Sequence, residues 1–258
     1  MTDVAGRLVV ERPAKGGTVL RIERPERRGA LSPEILEALR EAFAAADDGC
    51  LVVTGTGEIF SAGYDLSGIG DPVDPDRAHA AIAPETVAAL DALHACRVPV
   101  IAALNGPALG GGLELALGCD VRLGVPGAYL AAPAGKLGLV YSPGGLERIL
   151  GGLPGSLPFE LFVLGRRIEA ERAHALGVVT EIVAPEELEA TALAAAEEVL
   201  AQGPQAVQAN ARALRALRAG ADDAVRAELA ATRRAGMRSA EFAEGVAAFR
   251  GRRTPNWS

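Results

Sequence analysis

The stretch LNGPALGGGLELALGCD, residues 104–120, sets three consecutive glycines, Gly110 to Gly112, and a carboxylate, Glu114, inside an otherwise apolar run. A strand-like segment, VPVIAAL, ends near Leu104, and LELALG, with helical patterning, begins near Gly112. The chain therefore has to pass from strand to helix through the glycines. Such a turn leaves free backbone N–H groups at a helix N-terminus, where they and the helix dipole favour negative charge. Glycine also lets a ligand approach the backbone with no Cβ in the way. The ligand is then a phosphate or an oxyanion. The stretch lacks the lysine and Ser/Thr of a P-loop and the spacing of a dinucleotide fingerprint, which weakens the phosphate reading. Tight packing of helix on strand would call for the same glycines.

The rest of the chain predicts an α/β layer architecture. RLVVER and TVLRIERP, joined by PAKGG, read as a hairpin. Ser32 offers an N-cap and Pro33 a first helical position, with Ile35, Leu36, Leu39 and Phe43 at helical spacing up to about Asp47. CLVVTG reads as a buried strand, PETVAALDALHAC as a helix and DVRLGV as a strand. From about Pro185 onward the patterning is helical only.

Bulk properties narrow the partners. A formal charge of −7 over 258 residues argues against nucleic acid, whose affinity rests on phosphate contacts. Cys50, Cys96 and Cys119 form no CxxC pair, lie in apolar segments and are expected as buried reduced thiols. The start, MTDVAGRLVV, has the form of no signal peptide. The longest apolar run is interrupted by Asn105, Pro107 and glycines, so no membrane span is expected. These features predict a soluble, cytoplasmic protein.

A second segment, TGTGEIFSAGYDLSGI, also follows a buried strand. Together FSAGYDL and NGPALGGGLELALGCD resemble the enoyl-CoA hydratase/isomerase, or crotonase, superfamily. RPERRGALSPEILEAL and FAEGVAAFRGRRTP resemble the same family's terminal signatures, so the likeness spans essentially the whole chain. It implies a crotonase-like spiral of ββα units over residues 1–195 and a helical oligomerisation region over 196–258, assembled as a homotrimer or hexamer. It implies an acyl-CoA substrate, with coenzyme A present as part of the thioester, and neither a separate cofactor nor a metal. The backbone amides of Tyr64 and Gly111 match the oxyanion hole that grips the thioester oxygen as an enolate forms. Glu114 matches one of two acid/base positions. The coenzyme-binding positions carried over are Arg28, Ala30, Leu31, Ala62, Asp65 and Leu66; Gly29 stands where the family usually has asparagine. Arg24, Arg27, Arg250, Arg252 and Arg253 are further candidates for the coenzyme phosphates, against a background in which only Lys15 and Lys136 of the 26 basic residues are lysine.

The departures bear on the reaction. A simple hydratase of this family uses two glutamates, and AAPAGKLGLV has Ala134 where the second belongs. An alanine neither activates water nor delivers a proton. A lone Glu114 suits shuttling a proton between two carbons. Tyr141, in GLVYSPGGLERI, resembles a tyrosine of decarboxylating members such as methylmalonyl-CoA decarboxylase, where a polar group orients the departing carboxylate; a packing tyrosine is the alternative. A third expectation is an acyl-CoA binder without chemistry. Asp65 and Asp120 read as structural, and Ser61 and Ser142 lack a nucleophile-elbow spacing. His79, His94 and His174 lie outside the motifs, although His79 falls in residues 68–84, which read as a mobile cover for the acyl group.

Overall fold

The computed structural model describes residues 7–67, 74, 76 and 84–257. The predicted hairpin forms as β1 (Arg7–Glu11) and β2 (Thr18–Glu23). It opens a six-stranded sheet continued by β3 (Leu51–Gly55), β4 (Val100–Leu104), β6 (Val121–Gly124) and β9 (Glu181–Ile182), in the order β1-β2-β3-β4-β6-β9. Only the hairpin is antiparallel; each later pairing is parallel. β3 and β4 are buried along their whole length, which is why they read as unbroken apolar runs. A second sheet, β5-β7-β8, joins Ala108–Leu109, Tyr129–Ala131 and Ile168–Glu169. Its strands are too short to show a period, and the sequence reading passed straight from β4 to the glycine turn without β5.

Helices cover both faces of the main sheet. On one lie α1 (Pro33–Ala45), α2 (Pro84–Ala95) and α3 (Gly111–Gly118), burying Ile35, Leu39, Phe43, Leu93 and Leu113 against Leu20, Ile22, Val53 and Ala102. Ser32 caps α1 as expected, its Oγ accepting from the Ile35 amide at 3.4 Å. Beyond β7 come α4 (Pro143–Gly152), α5 (Leu157–Phe162) and α6 (Ala170–Ala175). The opposite face carries α7 (Leu188–Leu200), whose Leu188, Ala192 and Ala196 pack on Val19, Val52 and Ile101. The division expected at 195/196 thus falls inside α7, a helix packed on the sheet.

The remaining helices, α8 (Pro204–Arg218), α9 (Asp223–Gly236) and α10 (Ala240–Gly251), follow with no strand among them. α8 is tied to the core by the guanidinium of Arg215, 2% exposed. It donates to both carboxylate oxygens of Asp120, through Nε at 2.7 Å and through Nη2, and to the carbonyls of Cys96 and Val98. Asp120 also accepts from the Val100 amide at 2.8 Å, which accords with its structural reading. Arg122, also buried, closes the C-terminal end of α3 by donating to the carbonyls of Ala116 (3.2 Å) and Cys119 (2.7 Å). The three cysteines are buried free thiols, and burial pushes Cys50 and Cys119 up to about 12.

Candidate active site

Two short extended segments lie beside the glycine turn. Residues 60–65 pair on one side with 28–31 and on the other with 107–109, through Leu31–Tyr64 and Ser61–Ala108 bridges. Asn105 fixes the approach: its amide donates to the carbonyls of Gly57 (2.8 Å) and Ile59 (3.0 Å), and its oxygen accepts from Gly55. Ser61 Oγ donates to Gly29 O at 2.7 Å and accepts from Gly63 N at 3.1 Å. Leu31 N donates to Gly63 O and Leu31 O accepts from Asp65 N. Peptide groups alternate in direction along an extended chain, so the Tyr64 amide between those two bonds faces away from Leu31, toward the 107–111 side.

Gly63 has φ +90°, and a Cβ there would stand 2.6 Å from Leu109 O and 3.0 Å from Gly111 N. This close approach brings the Tyr64 backbone against the start of α3. Gly111 is the first residue of α3, and the first bond into the helix is Glu114 N to Gly110 O, so the Gly111 amide lies among the N–H groups without a helical partner. The backbone just before Tyr64 thus packs against the N-terminus of α3.

One helical turn further, Glu114 is 2% exposed. Its Oε1 accepts from the Tyr64 hydroxyl at 3.0 Å, and its Oε2 accepts from Arg148 Nε at 3.2 Å, with Nη2 at 3.1 Å. The Tyr64 ring lies over Gly111: a Cβ on Gly111 would stand 2.6 Å from ring Cδ1 and closer still to Cε1 and Cζ. Burial, then the Glu114 charge, pushes the Tyr64 phenol above the ordinary tyrosine range, so it remains a donor. Tyr141 completes the group from the chain before α4, packed edge-on against Phe162 with ring centroids 4.9 Å apart. Its hydroxyl is buried and has no hydrogen-bond partner among the described residues. Burial, then the Glu114 charge, raises this phenol too.

Ala134 is buried in the 3-10 turn Pro133–Leu137 and brings no polar side chain. Of the coenzyme positions, Leu31 has both main-chain groups committed to Gly63 and Asp65. Ala62 donates to Arg28 O, Ala30 is buried, and Leu66 is half-buried. Asp65 is engaged by Arg24 Nη1 at 2.6 Å and the Ser67 amide at 2.9 Å. Arg24 does not meet the expectation of a cation free for phosphate. It is 6% exposed, and its guanidinium also donates to Ala30 O, locking the 24–31 turn to the Tyr64 strand. Arg27, Arg28, Arg250 and Arg252 are exposed, while Arg253 is held by Glu244 at 2.6 and 2.8 Å. His174 Nδ1 lies 3.1 Å from Val179 O, and His94 is held low by burial and by the charges of Arg215 and Arg218. His79 and most of residues 68–84 lie outside the described residues. Among the described residues no three His, Cys, Asp or Glu side chains gather as a metal set.

The resemblance singled out Tyr64, Gly111, Glu114 and Tyr141; the fold adds two contacts to Glu114 that it did not name, the Tyr64 hydroxyl and Arg148. Arg148 lies 34 residues from Glu114. The one local signal was its place in a helix that Ser142 caps, Oγ accepting from Gly145 N at 3.1 Å.

Residues 14–258 match the family model described as Enoyl-CoA hydratase/isomerase. A carnitinyl-CoA dehydratase of Salmonella arizonae is 35% identical over 260 residues, covering 95% of this chain and 97% of its own. The solved structure of Pseudomonas aeruginosa DspI superposes with a TM-score of 0.88 at 31% identity, covering 97% of this chain and 96% of that one. An enoyl-CoA hydratase from Bacillus anthracis gives a TM-score of 0.86 at 27% identity, with 97% and 98% covered.

Proposed function

Because the chain belongs to the enoyl-CoA hydratase/isomerase family of acyl-CoA enzymes, we propose that it works through a thioester enolate with Glu114 as its lone carboxylate. In this reading the Tyr64 and Gly111 amides hold the thioester oxygen as it gains negative charge. Donors aimed at that oxygen favour the transition state over the ground state, and loss of one such donor costs about 2.7–4 kcal/mol. Glu114 takes a proton from the carbon beside the thioester and returns it two carbons further along, which moves the double bond and restores the carboxylate. The observation that carries the proposal is the burial of Glu114 beside Tyr64, one turn from the Gly111 amide. Hydration by a pair of carboxylates is disfavoured, since Ala134 leaves the second position without an acid or base.

One observation favours a second reading. The buried hydroxyl of Tyr141, which has no hydrogen-bond partner among the described residues, suits a substrate acceptor, such as the carboxylate of a malonyl-type thioester. Decarboxylation yields the same enolate without removing a proton from carbon. The test is turnover of enoyl-CoA and malonyl-type CoA esters by the wild type, Glu114→Gln and Tyr141→Phe. Isomerisation collapses in Glu114→Gln, by about 10²–10⁴-fold. A decarboxylase loses more in Tyr141→Phe. Coenzyme binding without turnover of any ester by the wild type marks a binder and overturns the proposal.

We read the helices α8–α10 as the face that builds a homotrimer or hexamer. They enclose a groove of about 1050 Å³ lined by Ala209, Leu217, Leu229, Phe242, Val246 and Phe249, none of which belongs to the Glu114 cluster. Phe249 is 85% and Leu214 69% exposed, an apolar surface suited to subunit contact. A monomer by light scattering refutes this. No helix among the described residues is long and apolar enough to cross a membrane.

A further inference from the structure

We infer that Arg148 is a positioning residue that, with the Tyr64 phenol, clamps the Glu114 carboxylate in one orientation. The two donors come from separate parts of the chain and take opposite oxygens: Tyr64 holds Oε1 at 3.0 Å, and Arg148 holds Oε2 at 3.2 Å through Nε with Nη2 at 3.1 Å. With both oxygens bound, rotation of the carboxylate about its last bond breaks two charge-assisted contacts at once. With a donor on each oxygen, the clamp limits the directions from which a proton is accepted. A site with two carboxylates can divide base and acid work between them. Here Ala134 leaves one carboxylate for both transfers, and the aim of its free lone pairs matters at each step.

Arg148 suits the task because its guanidinium is planar and permanently charged. Asp91 Oδ1 on α2 lies 4.0 Å from Nη1, and the Arg148 side chain is 25% exposed beside a Glu114 side chain that is 3% exposed. The arginine therefore spans from the buried carboxylate to the rim. Among the described residues, the charged and titratable groups about Glu114 are Tyr64 from the 60–65 strand, Tyr141 from the chain before α4 and Arg148 from α4, with Asp91 behind Arg148.

This inference rests on Glu114 being the base proposed above, and one experiment separates the two. A saturated four-carbon acyl-CoA is incubated in deuterium oxide with the wild type, Arg148→Gln, Arg148→Lys and Glu114→Gln. Exchange beside the thioester is followed by mass spectrometry, and the dissociation constant is measured in parallel. Arg148→Gln is expected to exchange about 10²-fold more slowly with thioester binding changed less than about threefold, since misplacing a reacting group has that scale of effect. Arg148→Lys recovers part of the rate, because it restores the charge without the fork. Exchange by Arg148→Gln at the wild-type rate, loss of rate and binding in equal proportion, or no recovery in Arg148→Lys overturns the clamp alone. A wild type that binds but exchanges nothing overturns the lone-base reading and the clamp with it. If Arg148→Gln fails to fold, Arg148→Lys decides: slower exchange at unchanged binding supports the clamp, and wild-type exchange refutes it.

Discussion

The Tyr64 hydroxyl donates to Glu114 Oε1 at 3.0 Å while the ring of the same residue lies over Gly111. Backbone and side chain of one residue therefore serve different parts of the site. Tyr64→Phe separates them, because the amide is kept and only the phenol is lost. Catalytic turnover is expected to fall about tenfold, the scale of one charge-assisted hydrogen bond, with KM nearly unchanged. Burial and the Glu114 charge hold the phenol above its ordinary value of about 10, so the ratio of wild-type to variant rates stays flat as pH rises through that value. Steady-state kinetics from neutral to alkaline pH check both points.

Two glycines near the turn predict opposite outcomes when a methyl is added. At Gly106 the new Cβ would stand 2.8 Å from Ile59 Cα and closer still to the Glu58 carbonyl, and backbone there has no room to yield. Gly106→Ala is expected to lose about 1–3 kcal/mol of stability by denaturant unfolding. At Gly111 the obstacle is a side chain, the Tyr64 ring, which has to turn away from Glu114 to make room. Gly111→Ala should keep most of its stability and lose turnover, because the displaced phenol no longer reaches Glu114. An unfolding midpoint lowered as much as in Gly106→Ala would contradict this.

These cases show what a linear reading captures. The glycine turn was legible because a strand, a turn and a helix follow one another within seventeen residues, where periodicity and glycine placement carry the signal, whereas the acid/base place of Glu114 came from the resemblance to the family's motif. The cap at Ser32 and the buried strands β3 and β4 were legible for the same local reason. Arg148 was not, since an arginine with a buried carboxylate 34 residues away looks in the sequence like any other in an arginine-rich chain. Arg24 was misread for the same reason: only the fold brings it to Asp65, 41 residues on. β5, β7 and β8 escaped notice because two or three residues cannot display alternation.

The pair between Arg215 and Asp120 predicts a structural defect with an intact site. Arg215 is 2% exposed, and its charge is balanced there by Asp120, which also receives the Val100 amide. Asp120→Ala leaves that guanidinium buried with carbonyls alone. Removing one partner of a buried pair costs about 3–5 kcal/mol, and a loss of this size is expected from urea unfolding. Because the pair ties α8 to the core, amide exchange in residues 204–218 should quicken more than in β3. Stability equal to that of the wild type would show that the pair contributes nothing net.

Asp65 predicts how the turn around Tyr64 responds to acid. Burial alone would raise its carboxyl, but the Ser67 amide and hydroxyl and the Arg24 guanidinium outweigh this and hold it below the usual carboxylate range. A carboxyl depressed on folding adds stability in full above its unfolded value, about 3.9, and loses it as pH falls through the lower folded value. The wild type should therefore keep this contribution at neutral pH and shed it below about pH 4. Asp65→Asn lacks the charge at every pH and leaves the buried Arg24 with only the more distant Glu26, at 3.9 Å, so it should be less stable than the wild type at pH 7. The gap should narrow as acid protonates Asp65 in the wild type. Urea midpoints of both proteins between pH 7 and pH 3 measure it, and a gap that stays constant or widens toward acid refutes the assignment.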